Sequence, residues 1–120
     1  MLIAIPADGS TLESPVCMSF GRTETFLLID TETLAVTPMA NAAAQAQGGA
    51  GIVAAQALVD AGVQAVVARY MGKNAADVLT PAGIALYKGA EGSAAEMVTR
   101  FKAGQLEILT EIHPGHHHGG

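Results

Sequence analysis

The order of its apolar runs constrains this chain more than any other feature. Residues 2–5, 25–29 and 34–39 are short apolar stretches of strand length with no helical spacing between them. Pro6 closes the first, and the polar Asp30, Thr31, Glu32 and Thr33 turn the second into the third as a hairpin. From Ile52 the pattern changes. Ile52, Ala55, Leu58 and Val59 recur at helical spacing, and Gly62 is a natural stop. Residues 64–68 and 84–87 are further strands. Between them Asn74, with Asp77 three residues on, predicts the N-cap of a short helix from Ala75, interrupted by Pro81 and Gly83. Ser93 and Glu96 make a capping box for a last helix through Phe101, closed by Gly104, and residues 106–112 suggest a weak extended segment. The predicted order is β-β-β-α-β-α-β-α, an α/β fold with five strands in a mixed sheet and three helices.

Strand direction follows from the connections. If the first strand runs up, the second runs down and the third up, and each strand reached through a helical crossover also runs up. The loops leaving up strands then emerge at one edge of the sheet: residues 6–24, 40–51, 69–74 and 88–93. In open α/β sheets ligands sit outside the carboxyl ends of the strands. The loop over residues 41–52 is rich in small residues, with Gly48, Gly49 and Gly51 just before a helix. Such a loop is either a flexible connector or a cradle for an anion against the first turn of the helix. It lacks the Gly-Lys-Ser/Thr ending of a nucleotide P-loop.

Composition narrows the function. A chain of 120 residues, half of them apolar but with no Trp, is one domain packed mainly by Ala, Val and Leu. No apolar run is long enough for a membrane span, and the amino terminus lacks a signal-peptide pattern. The single Cys17 excludes an internal disulfide framework and fits a reducing cytoplasm. A net charge of −5 argues against nucleic-acid binding.

Against that acidic background, Arg22, Arg69, Lys73 and Lys88 fall in or beside the ligand-side loops. They read either as solvated loop cations or as an anion cradle. Cys17 has three readings: a packed small residue, one ligand of a shared metal site, or a bridge between subunits. Every histidine lies in the tail, so no catalytic thiol partner is at hand, and no carboxylate pair suits hydrolysis. Tyr70 and Met71 read as apolar walls, although a thioether also suits a soft metal. His113, His116, His117 and His118 lie in a flexible tail over residues 106–120, after a domain over residues 1–105. Neutral imidazoles there bind copper, zinc or nickel, whether the tail is native or an added tag.

Seven short motifs in order give a family resemblance. Ile3-Ala-Ile-Pro6, Phe20-Gly-Arg22, Phe26-Leu-Leu-Ile-Asp30, Asn41, Gly48-Gly-Ala-Gly51, Gly72-Lys-Asn-Ala75 and Ala82-Gly-Ile84 resemble the nitrogenase iron–molybdenum cofactor biosynthesis family. The likeness runs from Met1 to about Gly104. It implies a ribonuclease-H-like fold without nuclease activity and a non-enzymatic role in binding a preformed, anionic metal–sulfur cluster. Within the family the chain is most similar to the orange proteins of sulfate-reducing bacteria. That subgroup implies a molybdenum–copper sulfide cluster held without covalent protein ligands. An iron–sulfur cluster or iron–molybdenum cofactor precursor is the next candidate cargo, with a cluster donor or acceptor protein as partner. Nitrogenase-carrier relatives often have a histidine beside the Phe-Gly pair, where this chain has Ser19 and Arg22, which favours an electrostatic cradle. The residues implied in the cradle are Arg22, Asn41, Gly48, Gly49, Gly51, Arg69, Tyr70, Met71, Gly72, Lys73 and Asn74. The competing reading is a cofactor-free regulatory or protein-docking domain that uses the same loops.

Overall fold

The computed structural model describes residues 1–43 and 49–110. Its elements follow the expected order: β1 (Leu2–Ala7), β2 (Thr25–Asp30), β3 (Val36–Ala40), α1 (Ala50–Asp60), β4 (Ala65–Ala68), α2 (Lys73–Leu79), β5 (Ala85–Lys88) and α3 (Ala94–Lys102). The strands form one mixed sheet in the order β3-β2-β1-β4-β5. β1 runs antiparallel to β2 and parallel to β4, β2 and β3 are antiparallel, and β4 and β5 are parallel.

The central strands are covered on both faces, which is why they read as unbroken apolar runs rather than alternating ones. Ile3, Ile5 and Ala7 pack with Leu27, Ile29, Val67 and Met97 on the face that α3 covers. Ala4, Phe26, Val66 and Ala68 pack with Ala54, Ala55 and Leu58 of α1 and Leu79 of α2 on the other. Ala54 and Ala55 are fully buried, and their small side chains let α1 lie close to the sheet.

Several boundaries differ from expectation for local reasons. The third strand starts at Val36 rather than residue 34, because Leu34 takes a left-handed conformation (φ 64) that closes the turn. The Leu34 N–H donates to the Asp30 carbonyl at 2.8 Å, and the Asp30 carboxylate accepts from the N–H groups of Glu32 and Thr33. α2 starts at Lys73 with Gly72 as its N-cap, so Asn74 lies inside the first turn and caps nothing. Asp77, expected to box that cap, instead pairs with Lys73 at 2.6 Å, the i,i+4 spacing that helical geometry favours.

Both sheet edges are protected. Asp30 bonds to Ala35 and Asn41 to Glu24, so by the antiparallel alternation residues 36, 38 and 40 present their backbone outward. Pro38 removes the middle donor of that row, a common guard against edge pairing. At the other edge the Lys88 N–H donates to Glu107 and the Leu109 N–H to Leu86, so the expected extended segment pairs with β5 over its described part. Leu109 is buried in the core, and residues 111 and 112 lie outside the described residues.

The capping box on α3 forms as read. The Glu96 N–H donates to Ser93 Oγ, and the Ser93 N–H donates back to the Glu96 carboxylate at 2.8 Å. That backbone bond, above all, holds the Glu96 carboxyl below its ordinary value of 4.5. A carboxyl depressed in the folded state stabilises above its unfolded pKa and loses that contribution as pH falls through the folded one. Glu96→Gln should therefore flatten the acid side of the stability profile. Ser93→Ala should cost about 1 kcal/mol in urea unfolding at neutral pH.

Candidate functional site

From β1 the chain turns to one side of the sheet, through β2 and β3, and from β4 it turns to the other, to β5. The carboxyl ends of the adjacent parallel strands β1 and β4 therefore flank a topological switch point, where open α/β sheets leave a crevice. Ser19, in the loop after β1, bridges in parallel to Tyr70 just beyond β4, carrying the two chains past the sheet together. A cavity of about 310 Å³ opens there, lined by Met18, Ser19, Phe20, Gly21, Tyr70, Met71 and Gly72. A second hollow of about 280 Å³ shares Phe20, Gly21 and Gly72 and adds Arg22, Gly49, Gly51 and Asn74. A third, of about 300 Å³, is lined by Arg69, Tyr70, Lys88, Gly89, Ala90 and Glu91.

Glycines bring the loops into backbone contact. A Cβ on Gly21 would sit 3.2 Å from the Gly51 nitrogen, and one on Gly51 would meet the Ala75 Cβ at 3.4 Å. The loop after β1, the first turn of α1 and the first turn of α2 thus stack closely where side chains are missing or small. Gly49, at the N-cap of α1, has φ 68, a conformation that favours glycine, and no side chain among the described residues caps that helix start. α3 differs: its first N–H groups are taken by the Ser14 and Leu12 carbonyls as well as by its capping box. Residues 88–93 share the expected edge, but the α3 start is closed by protein.

Asn41 is buried and holds two loops together. Its Nδ2 donates to the Gly21 carbonyl at 3.1 Å and the Thr23 carbonyl at 2.8 Å, and its Oδ1 accepts from the Ala43 N–H at 3.0 Å. Its polar groups face protein rather than the hollows. Met71 is fully buried and belongs to the core as much as to the cavity wall. Tyr70 is exposed and shared by the first and third hollows. Arg22 and Asn74 line the second hollow, while Lys73 faces Asp77 along its own helix. Arg69 lines the third. Cys17 is half-buried, with its N–H on the Pro6 carbonyl at 2.9 Å. Gly48 and the four histidines lie outside the described residues.

Sequence reasoning gave no site role to Met18, Phe20 or Gly21. Met18 is 54% exposed at the mouth of the first cavity, whereas Phe20 is buried against Phe26 at 5.1 Å between ring centroids. For Phe20 and Gly21 the signal was their place in the Phe20-Gly-Arg22 motif of the family resemblance, and for Met18 it was only its position in the same loop. Among the described residues no group of three or more His, Cys, Asp or Glu is placed to hold a metal ion.

Fold and crevice define a small α/β domain with a soft, glycine-lined hollow at its switch point. The chain belongs to the dinitrogenase iron-molybdenum cofactor family, whose model matches residues 1–104. It is similar in structure to the apo form of the orange protein from Desulfovibrio gigas, at 33% identity and TM-score 0.86 over 91% of this chain and 92% of that one. A candidate NifB protein from Thermotoga is 36% identical with TM-score 0.82, covering 98% of both chains. An uncharacterised protein of Methanocaldococcus jannaschii is 32% identical over 110 residues, 89% of this chain and 90% of its own length.

Proposed function

We propose that this protein binds a preformed, anionic metal–sulfur cluster at the carboxyl edge of its sheet, as carrier, store or assembly factor, without catalysing a reaction. A molybdenum–copper sulfide is the favoured cargo, and an iron–sulfur cluster or iron–molybdenum cofactor precursor is next. The observation that carries this reading is the pair of joined hollows around Phe20, Gly21 and Gly72. One wall holds Met18, Tyr70 and Met71, and the other holds Arg22 and the glycine-led start of α1. A sulfide-faced cluster is bulky and polarisable, so it suits thioether and aromatic walls better than a dense set of hydrogen-bond donors. Its charge is met by a guanidinium and backbone N–H groups, with no cage of protein ligands among the described residues. Family membership and the likeness to the orange protein support a cofactor-binding or carrier role.

Within this reading the sheet is ribonuclease-H-like, Cys17 and the tail histidines are accessory metal ligands, and a donor or acceptor protein exchanges the cluster. The protein works in the cytoplasm. No helix among the described residues is long and apolar enough to cross a membrane.

Reconstitution tests the reading. Apoprotein incubated anaerobically with tetrathiomolybdate and copper should acquire a visible absorption that co-elutes with the chain. Arg22→Glu should weaken uptake about tenfold or more, the scale on which removing one charge-assisted hydrogen bond weakens binding. A second reading, a cofactor-free docking domain, is favoured by the exposure of Ile52, Val53, Met18 and Tyr70. Failure to load from both molybdenum–copper and iron–sulfur sources would decide for it.

A further inference from the structure

The third hollow differs in chemistry from the other two. Lys88 lies opposite Ala68 in the parallel register, so Arg69 and Lys88 leave adjacent strands one residue apart. Two of the six Lys and Arg residues of an acidic chain therefore meet at one small depression. The Gly89 backbone lies against β4: its N–H donates to the Ala68 carbonyl at 2.8 Å, and a Cβ there would meet Val67 Cγ1 at 3.2 Å. Arg69 as a residue is half-buried, and its guanidinium makes no hydrogen bond or ion pair with any described residue. A fork of donors with no partner among the described residues is a place for an oxygen-bearing anion, which guanidinium geometry matches in a bidentate manner. Glu91 lines the same hollow. An ionised carboxylate accepts hydrogen bonds and donates none, so it repels a bare anion and tolerates one that brings its own proton.

We propose that the hollow lined by Arg69, Lys88, Gly89 and Glu91 is a second ligand site, beside the cluster cavity, that takes a protonated tetrahedral oxoanion of the hydrogen-phosphate class. It does not rest on the cluster reading, since its cations and carboxylate line a separate hollow that shares Tyr70 alone with the first cavity. The two hollows thus adjoin at Tyr70.

The test is an amide NMR titration of the full chain with phosphate and, separately, with sulfate, at physiological ionic strength and near-neutral pH. Phosphate should produce saturable shifts at Tyr70, Gly89, Ala90 and Glu91. Sulfate, which carries no proton there, should bind at least about tenfold more weakly. Arg69→Gln should weaken phosphate about tenfold, and Arg69→Lys should restore part of the loss. Glu91→Gln should close the gap between the two anions. If Arg69→Gln disturbs the fold, the Arg69→Lys and Glu91→Gln titrations carry the test by themselves. The proposal is overturned by an absence of saturable phosphate shifts, by equal affinity for sulfate in the unaltered chain, or by shifts centred on Gly49 and Gly51 that vanish in Arg22→Gln.

Discussion

An Asn41→Ala variant is expected to lose about 3 kcal/mol of stability, because each buried polar group left without a partner costs about 1–3 kcal/mol. Truncation strands three such groups, the carbonyls of Gly21 and Thr23 and the N–H of Ala43. Asn41 is 8% exposed, so water replaces those bonds poorly. The bonds also span 18 and 20 residues of sequence, tying the loop after β1 to the chain leaving β3. Asn41→Asp separates donor from acceptor. It keeps an oxygen for Ala43 but turns a carboxylate toward two carbonyls, so it should be destabilised at neutral pH and recover in part on acidification, when a protonated carboxyl can donate. Urea unfolding at two pH values measures both effects. A loss below about 1 kcal/mol for Asn41→Ala would mean the loops hold together without the clamp.

Much of this architecture was legible because it depends on order and period, which a sequence displays directly. Three apolar runs without helical spacing, followed by alternating helix and strand, leave few ways to lay out a sheet. Strand direction then says which loops share an edge. What the sequence hides is where a side chain points once the backbone has no period. Met18 and Phe20 stand two apart in one apolar loop, yet one faces solvent and the other the core. Asn41 shows the same limit, since an amide at the head of a small-residue loop serves a ligand or a neighbouring carbonyl equally well. The Lys73–Asp77 pair was open to view as an i,i+4 spacing, but assigning Lys73 to an anion passed over it. The meeting of Arg69 with Lys88 needed the β4–β5 register, which fixes partners that lie 20 residues apart in the chain.

Valine at Gly21 is the substitution expected to damage the crevice most. Even the first added carbon would lie 3.2 Å from the Gly51 nitrogen, 3.4 Å from its Cα and 3.6 Å from the Ala50 carbonyl carbon. All three are backbone atoms at the start of α1, so relief requires a helix to shift rather than a side chain to rotate. Overpacking of this kind costs about 1–3 kcal/mol, and it also moves the wall on which Arg22 and Gly49 stand. Gly72 is the informative comparison. A Cβ there meets nothing within 4 Å, and its φ of −81 is open to any residue, so Gly72→Val should cost only the loss of a favourable N-cap residue, about 1 kcal/mol or less. Its methyl groups would nonetheless protrude where both joined hollows are lined by Gly72. Cluster uptake should therefore fail in both variants while unfolding distinguishes them, with Gly21→Val destabilised more than Gly72→Val. Full loading of Gly72→Val would move the cluster away from these two hollows, whatever the stability of the Gly21 variant.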